Sequence, residues 1–249
     1  MAGAVNKAFS VIRLLRRTQG SLTLAEIARS VKIAPSTAHS ILSELSAQGA
    51  VLQDGSRRYL LGPASFYLGA AYVRGVPIYR GIWSALVELA HEQGLTGIIA
   101  VPWEHHHLIL DVHNGGGGSV QVAFGGRVPI DAGAMGKAYF AWSGAKLNSS
   151  LVAHTAKSIT SPKQYLDEIE QAKENGYATD LEEFVLGAGA VASAVTSEHG
   201  FEGIAALVGT PADLNRIGIA DVGRKLASVA ARCSYTLGDR GRIKVLGIE

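Results

Sequence analysis

The chain has 249 residues, 47% hydrophobic and 18% charged, enough for one or two domains that fold without a metal or disulfide scaffold. Cys233 is the single cysteine, so no intrachain disulfide can form and a reducing, cytoplasmic setting is expected. Lys7, Arg13, Arg16 and Arg17 break the opening stretch where a signal peptide needs an apolar run, and nothing approaches the length of a membrane span.

The net charge of +2 is divided unevenly. Residues 1–74 hold nine bases and three acids, or +6, and the remainder holds 14 bases and 18 acids, or −4. A basic head on an acidic body suits a polyanion-binding module joined to something else, although a few surface positions would give the same imbalance by chance.

Val5, Ala8, Phe9, Ile12 and Leu15 recur at helical spacing, which predicts an amphipathic helix over 4–18, ended by Gly20. Thr23 is an N-cap for a second helix over 24–30, with Glu26 placed to complete a capping box. After a short turn at 31–34, a third helix starts near Pro35, whose missing N–H costs nothing in a first turn. Ile41, Leu42 and Leu45 form its core stripe and Gly49 its stop. Residues 51–53 and 58–61 flank Asp54-Gly55-Ser56-Arg57 as a β-hairpin. Three helices and a basic hairpin make a winged helix-turn-helix, whose third helix fits the major groove of DNA. Ser36, Thr37, His39 and Ser40 fall on its exposed N-terminal side as candidates for base-edge or phosphate contacts. Arg57 and Arg58 on the wing suit phosphates or the minor groove. A protein-interaction module with a solvated polar face would carry the same pattern.

Residues 63–76 read as a linker helix and 77–93 as another, with Ile78, Ile82, Leu86, Leu89 and Ala90 on one stripe and Gly94 as its end. Strands follow at 96–101, 107–112 and 119–124, then helices at 133–142, 146–153 and 162–175. Further strands at 177–179, 188–195 and 203–208 precede a long helix over 214–236. Hairpins first and helices between argue an α+β domain over 77–249, an antiparallel sheet covered by helices. Gly133 to Gly136 opens a helix whose free N–H groups favour a carboxylate, although glycines there equally serve close packing. Asp180, ending a short strand, can accept a hydrogen bond from a ligand or hold its loop.

Here a resemblance becomes specific. Thr23-Leu24-Ala25-Glu26-Ile27-Ala28, Ser36-Thr37, Ile41-Leu42, Leu45, Gly49 and Tyr59-Leu60-Leu61-Gly62 resemble the DNA-binding domain of IclR-type bacterial transcriptional regulators. Pro35 and Ser40 stand where that family usually carries basic residues, which lowers the positive charge of the presumed DNA face. Gly133-Ala134-Met135-Gly136-Lys137-Ala138, residues 176–183 and residues 187–195 resemble its GAF-like effector domain in the same order. The resemblance implies a winged helix-turn-helix over 1–62, a linker helix over 63–76, and an effector-binding and oligomerisation domain over 77–249. It implies a double-stranded DNA operator, a small organic acid effector, and a homodimer or a tetramer built as a dimer of dimers, with no membrane partner, no cofactor and no enzymatic activity. It also places Ala190, Ala206 and Val208 in the effector wall, where relatives that recognise small oxo-acids carry Cys or Ser. Their apolar character favours a ligand with more apolar surface, an aromatic acid, with Trp103, Phe124, Tyr139 and Phe140 available as lining.

Two other classes compete. Strand alternation predicts His107, Asp111 and His113 near one face, so His105 to His113 is a candidate element of a metal-responsive regulator, although His105 and His106 at a hairpin turn suit plain exposure. A cleft at Gly133–Lys137 and Asp180 would suit an enzyme with Lys137 as Schiff-base or acid/base residue, although helix-borne lysines are usually solvated. Glu182 and Glu183 read as a solvated charge run, Gly115 to Gly118 as a flexible connection, and Cys233 as a small buried residue.

Overall fold

The computed structural model describes residues 3–18, 20–117, 120–147 and 150–238. Two units divide at the Gly75–Val76 bond. In the first, α1 (Ala4–Arg17), α2 (Leu24–Val31) and α3 (Pro35–Ala47) accompany a three-stranded sheet. The sheet runs β1 (Leu22–Thr23), β3 (Arg58–Leu61), β2 (Val51–Gln53). Val11, Leu15, Ile27, Leu42, Val51 and Tyr59 form the core. The capping box closes as the sequence predicts. Thr23 N–H donates to Glu26 Oε2 at 2.7 Å and Glu26 N–H donates to Thr23 Oγ1 at 3.3 Å. β1 is an addition: two residues before that cap pair with Tyr59 and Arg58. A further helix, α4 (Pro63–Gly75), has no buried residue and exposes Phe66, Tyr67, Leu68 and Tyr72.

The second unit is a six-stranded antiparallel sheet with helices on both faces. Its order is β6 (Arg127–Pro129), β5 (His106–Asn114), β4 (Thr96–Trp103), β9 (Gly200–Gly209), β8 (Gly189–Ser197), β7 (Ala178–Leu181). α5 (Pro77–Gln93) covers the face of Gly97, where an added Cβ would press on Ala90 and Leu86. α9 (Ile219–Gly238) packs against α5 and β8, and its Cys233 is buried, which pushes the thiol up to about 11. The opposite face, with Ile98, Ala100, Ala192 and Ala206, packs on α6 (Gly133–Trp142), which in turn meets α7 (Pro162–Asn175).

Three expected elements differ. Residues 120–124 form no strand; Val120 and Val122 pack inward with no ladder partner among the described residues, and Ser119 lies outside those residues. Residues 146–147 and 150–153 are not helical, and 148–149 lie outside the described residues. The last helix is two, α8 (Pro211–Ile217) and α9, because Gly218 takes φ +92°, which ends a helix.

Candidate functional site

Register builds a cavity in the second unit. One row of directly paired residues crosses four strands: Asp180, Ala190, Val208 and Thr96. The adjacent row on the same face is Ala178, Ala192, Ala206 and Ile98. Ala190, Val208 and Ile98 make the cavity floor, and Gly133, Ala134 and Met135 at the start of α6 make its roof. Val120, Val122 and Phe184 close the sides of a space of about 270 Å³. At about 30 Å³ for each water-sized atom, that holds roughly nine heavy atoms. Ala206 is buried one row away and does not reach the cavity. Thr96 is 2% exposed, and its Oγ1 has no hydrogen-bond partner among the described residues.

The roof is electropositive, because the first N–H groups of a helix have no partner within it. Gly133 takes φ +55°, and a Cβ there would collide with Asp180 Oδ2, so the carboxylate lies directly against the helix start. Asp180 is 6% exposed and its Oδ1 accepts the Glu183 N–H at 2.7 Å. Burial raises its pKa above the ordinary carboxylate value, opposed by that hydrogen bond and by Lys137.

The one cation in the wall, Arg127, contributes main chain. It pairs with Leu108, which pairs with Val101, so its side chain lies on the other face. There its guanidinium stands 5.1 Å over the Trp103 ring and bonds His106 Nδ1 at 2.8 Å. Asp180 is therefore the sole charged side chain facing the cavity among the described residues.

Lys137 is neither solvated nor in the cavity. It is 1% exposed, and its Nζ donates to Glu183 Oε1 at 2.6 Å, Thr179 carbonyl at 2.9 Å and Glu168 Oε2 at 3.1 Å. Glu183 is correspondingly half-buried, while Glu182 pairs with Lys157 and accepts the Gly187 N–H. This pair is structural rather than a solvated run. With all its donors engaged, Lys137 lacks the free amine a Schiff base needs.

Other expectations change as well. Trp103 and Phe124 are exposed, and Tyr139 and Phe140 stack edge-on with each other outside the cavity. The aromatic wall is Phe184, which directly follows the Asp180 to Glu183 segment. A bulge separates the histidines. Ile99 pairs with Asp111 but Ala100 pairs with Ile109, so Leu110 is an extra residue and the alternation inverts across it. His107 points into the α6 side, fully buried, and desolvation lowers it to about 4. Asp111 points to the α5 side, where it accepts the Tyr79 hydroxyl at 2.9 Å. His113 shares that side, and no group of three His, Cys, Asp or Glu among the described residues can hold a metal. The glycine run is an anchor: a Cβ at Gly115 would strike the Ala90 and Leu95 carbonyls.

In the first unit, Ser36, His39 and Ser40 are exposed along one side of α3 and Thr37 is half-buried, with Ala38 and Leu42 turned inward. Arg57 stands exposed at the hairpin tip with φ +58°, a left-handed conformation. Arg58 turns back instead. Its guanidinium donates to the Ser21 carbonyl at 2.9 Å and to Glu26 Oε2 at 3.1 Å, tying the wing to the capping box of α2.

Comparison with known proteins follows the two units. Residues 4–55 match the model of the IclR helix-turn-helix domain, and residues 70–235 match that of the bacterial transcriptional regulator IclR C-terminal domain. The chain is 27% identical over 206 residues to the acetate operon repressor of Salmonella typhimurium, covering 79% of this chain and 75% of that protein. It is 27% identical over 212 residues to the transcriptional regulator XynR of Escherichia coli, covering 82% and 84%. The crystal structure of an IclR transcriptional regulator from Alicyclobacillus acidocaldarius superposes with TM-score 0.80 at 25% identity, covering 96% of this chain and all of that one. An IclR homologue from Microbacterium hydrocarbonoxydans, crystallised with 4-hydroxybenzoate, shares the fold at TM-score 0.82 and 16% identity, covering 94% and 99%.

Proposed function

The chain belongs to the IclR family of bacterial transcriptional regulators, and from that premise we propose that it is a cytoplasmic, non-enzymatic regulator that senses an aromatic carboxylic acid. The observation that carries the ligand class is the cavity, whose floor of Ile98, Ala190 and Val208 offers no side-chain hydrogen bond to a small oxo-acid. Its 270 Å³ would leave a two-carbon acid largely in water. The acid's carboxylate meets the N–H groups of Gly133, Ala134 and Met135 with Asp180 beside it, and its ring lies on Ala190 and Val208 beside Phe184. Ala206 supports this floor from the next row.

Ser36, Thr37, His39 and Ser40 contact an operator in the major groove and Arg57 contacts its phosphates, while Arg58 holds the wing from the protein side. A two-fold operator requires two copies, and the exposed Phe66, Tyr67, Leu68 and Tyr72 of α4 are suited to a second copy, in a homodimer or in a dimer of dimers. The effector acts by preferring one arrangement of the paired DNA-binding units.

Selection of genomic fragments by the purified protein, followed by sequencing, tests the DNA half; a single enriched palindrome is expected, and none at low salt would refute it. Calorimetry with aromatic carboxylates against glyoxylate and pyruvate tests the other half. Tight binding of the two small acids and none of the aromatic ones would overturn the ligand class.

A further inference from the structure

We infer that an acid effector enters this cavity together with one proton, held between its carboxylate and Asp180; this rests on the acid-effector reading above. The start of α6 is the cavity's electropositive wall, and Asp180 Oδ2 already lies against Gly133 at that same turn. A ligand carboxylate bonded to the N–H groups of Ala134 and Met135 therefore sits within about one helical turn, roughly 5 Å, of a second carboxylate. The surrounding wall of Ile98, Ala190, Val208 and Phe184 is apolar and screens neither charge. Two carboxylates sharing such a site do not both stay ionised, because like charge and desolvation act in the same direction.

Among the described residues the one cation that opposes the rise at Asp180 is already committed elsewhere. From α6, Lys137 faces this region, but it is shared between Glu183 and Glu168. Asp131 precedes that helix, and α7 presents Glu168 and the buried Tyr165, whose hydroxyl is committed to the Asp131 carbonyl. The segment after β7 presents Glu183 and also Glu182, which is paired with Lys157. β8 presents Ala190, which carries no charge. Arg127 stands on the other face of the sheet. Burial already raises the proton affinity of Asp180 before a ligand arrives.

The proton comes from solvent and bridges a ligand oxygen and Asp180 Oδ2, with no bond to carbon made or broken. Binding then weakens as pH rises between the free and the bound titration of Asp180, because the free site must take up a proton it has lost. In Asp180→Asn the amide keeps an acceptor for the Glu183 N–H and offers its own N–H to the ligand, so no proton is needed.

Calorimetry on the full chain tests this with benzoate and 4-hydroxybenzoate at about pH 7, in two buffers of different ionisation enthalpy. Uptake near one proton is expected, with affinity falling by up to about tenfold per pH unit. Benzamide, neutral and of the same shape, should bind with no uptake, and Asp180→Asn should bind benzoate with affinity flat in pH. Measurable benzoate or 4-hydroxybenzoate binding to the wild type with no proton uptake overturns the inference and leaves the acid-effector reading standing. Absence of binding by both acids at every pH from about 5 to 8 refutes that reading for these acids instead.

Discussion

Replacing Lys137 by Met keeps an unbranched side chain one heavy atom shorter and deletes its charge. The wild-type ammonium is 1% exposed and serves three acceptors. Glu168, 32% exposed, returns to water at little cost. The Thr179 carbonyl loses a buried donor, worth about 1 kcal/mol. Glu183, 17% exposed, becomes an uncompensated carboxylate, which would cost about 3–5 kcal/mol if it stayed ionised and less because it takes up a proton. The expected loss is about 3–4 kcal/mol, or roughly 10 °C in Tm for a unit of this size. Trp83, Trp103 and Trp142 are all the tryptophans and all lie in the second unit, so urea unfolding followed by tryptophan emission reports that unit alone. Lys137→Met with Glu183→Gln should lose about 2 kcal/mol less than Lys137→Met by itself, since the orphaned charge is gone. A loss under about 1 kcal/mol in the single variant, or a double variant that fares worse, would refute the account of a buried charge needed to satisfy half-buried acids.

Gly133→Ala forces a Cβ against Asp180 at φ +55°, so it should destabilise the second unit by about 1–2 kcal/mol and weaken aromatic-acid binding at least tenfold, read by calorimetry. Arg57→Gly relieves a left-handed residue and should stabilise the first unit by about 1 kcal/mol, yet lower the slope of log K against log salt for DNA by about 0.9, in unfolding and salt-titrated anisotropy. Asp180 has a raised folded pKa, so its favourable contribution to stability is complete below the ordinary carboxylate value and is lost as pH rises through the folded one. Asp180→Asn should therefore match the wild type in acid and gain on it as pH rises to neutrality, in denaturation curves across that range.

Local chemistry was legible wherever one segment decides its own shape. Thr23 and Glu26 satisfy each other across one helical turn, and Asp54 accepts the Ser56 and Arg58 N–H groups to close the hairpin, without help from the rest of the chain. Gly94 ends α5 in the left-handed region for the same reason. What depends on a distant partner was hidden. Val120, Val122 and Phe124 alternate like a strand, but no edge among the described residues pairs with them. The extra residue Leu110 has an ordinary apolar identity, so nothing nearby announced that His107 and His113 face opposite sides. Lys137 looks like any helical lysine until Glu168 and Glu183 arrive from two other segments. Asp180, Ala190 and Val208 were found individually, and only strand register makes them neighbours.

The row from Asp180 to Thr96 draws one residue from each of four strands whose ladder hydrogen bonds do not involve side chains. A change at Ala190 or Val208 therefore repaints one tile of the floor without moving the masonry beneath it. Serine at either place, beside the unspent hydroxyl of Thr96, would give a wetter floor suited to smaller and more polar metabolites. A lineage, or an engineer building biosensors, can walk between ligand classes here in single-codon steps while the DNA-reading unit is left untouched.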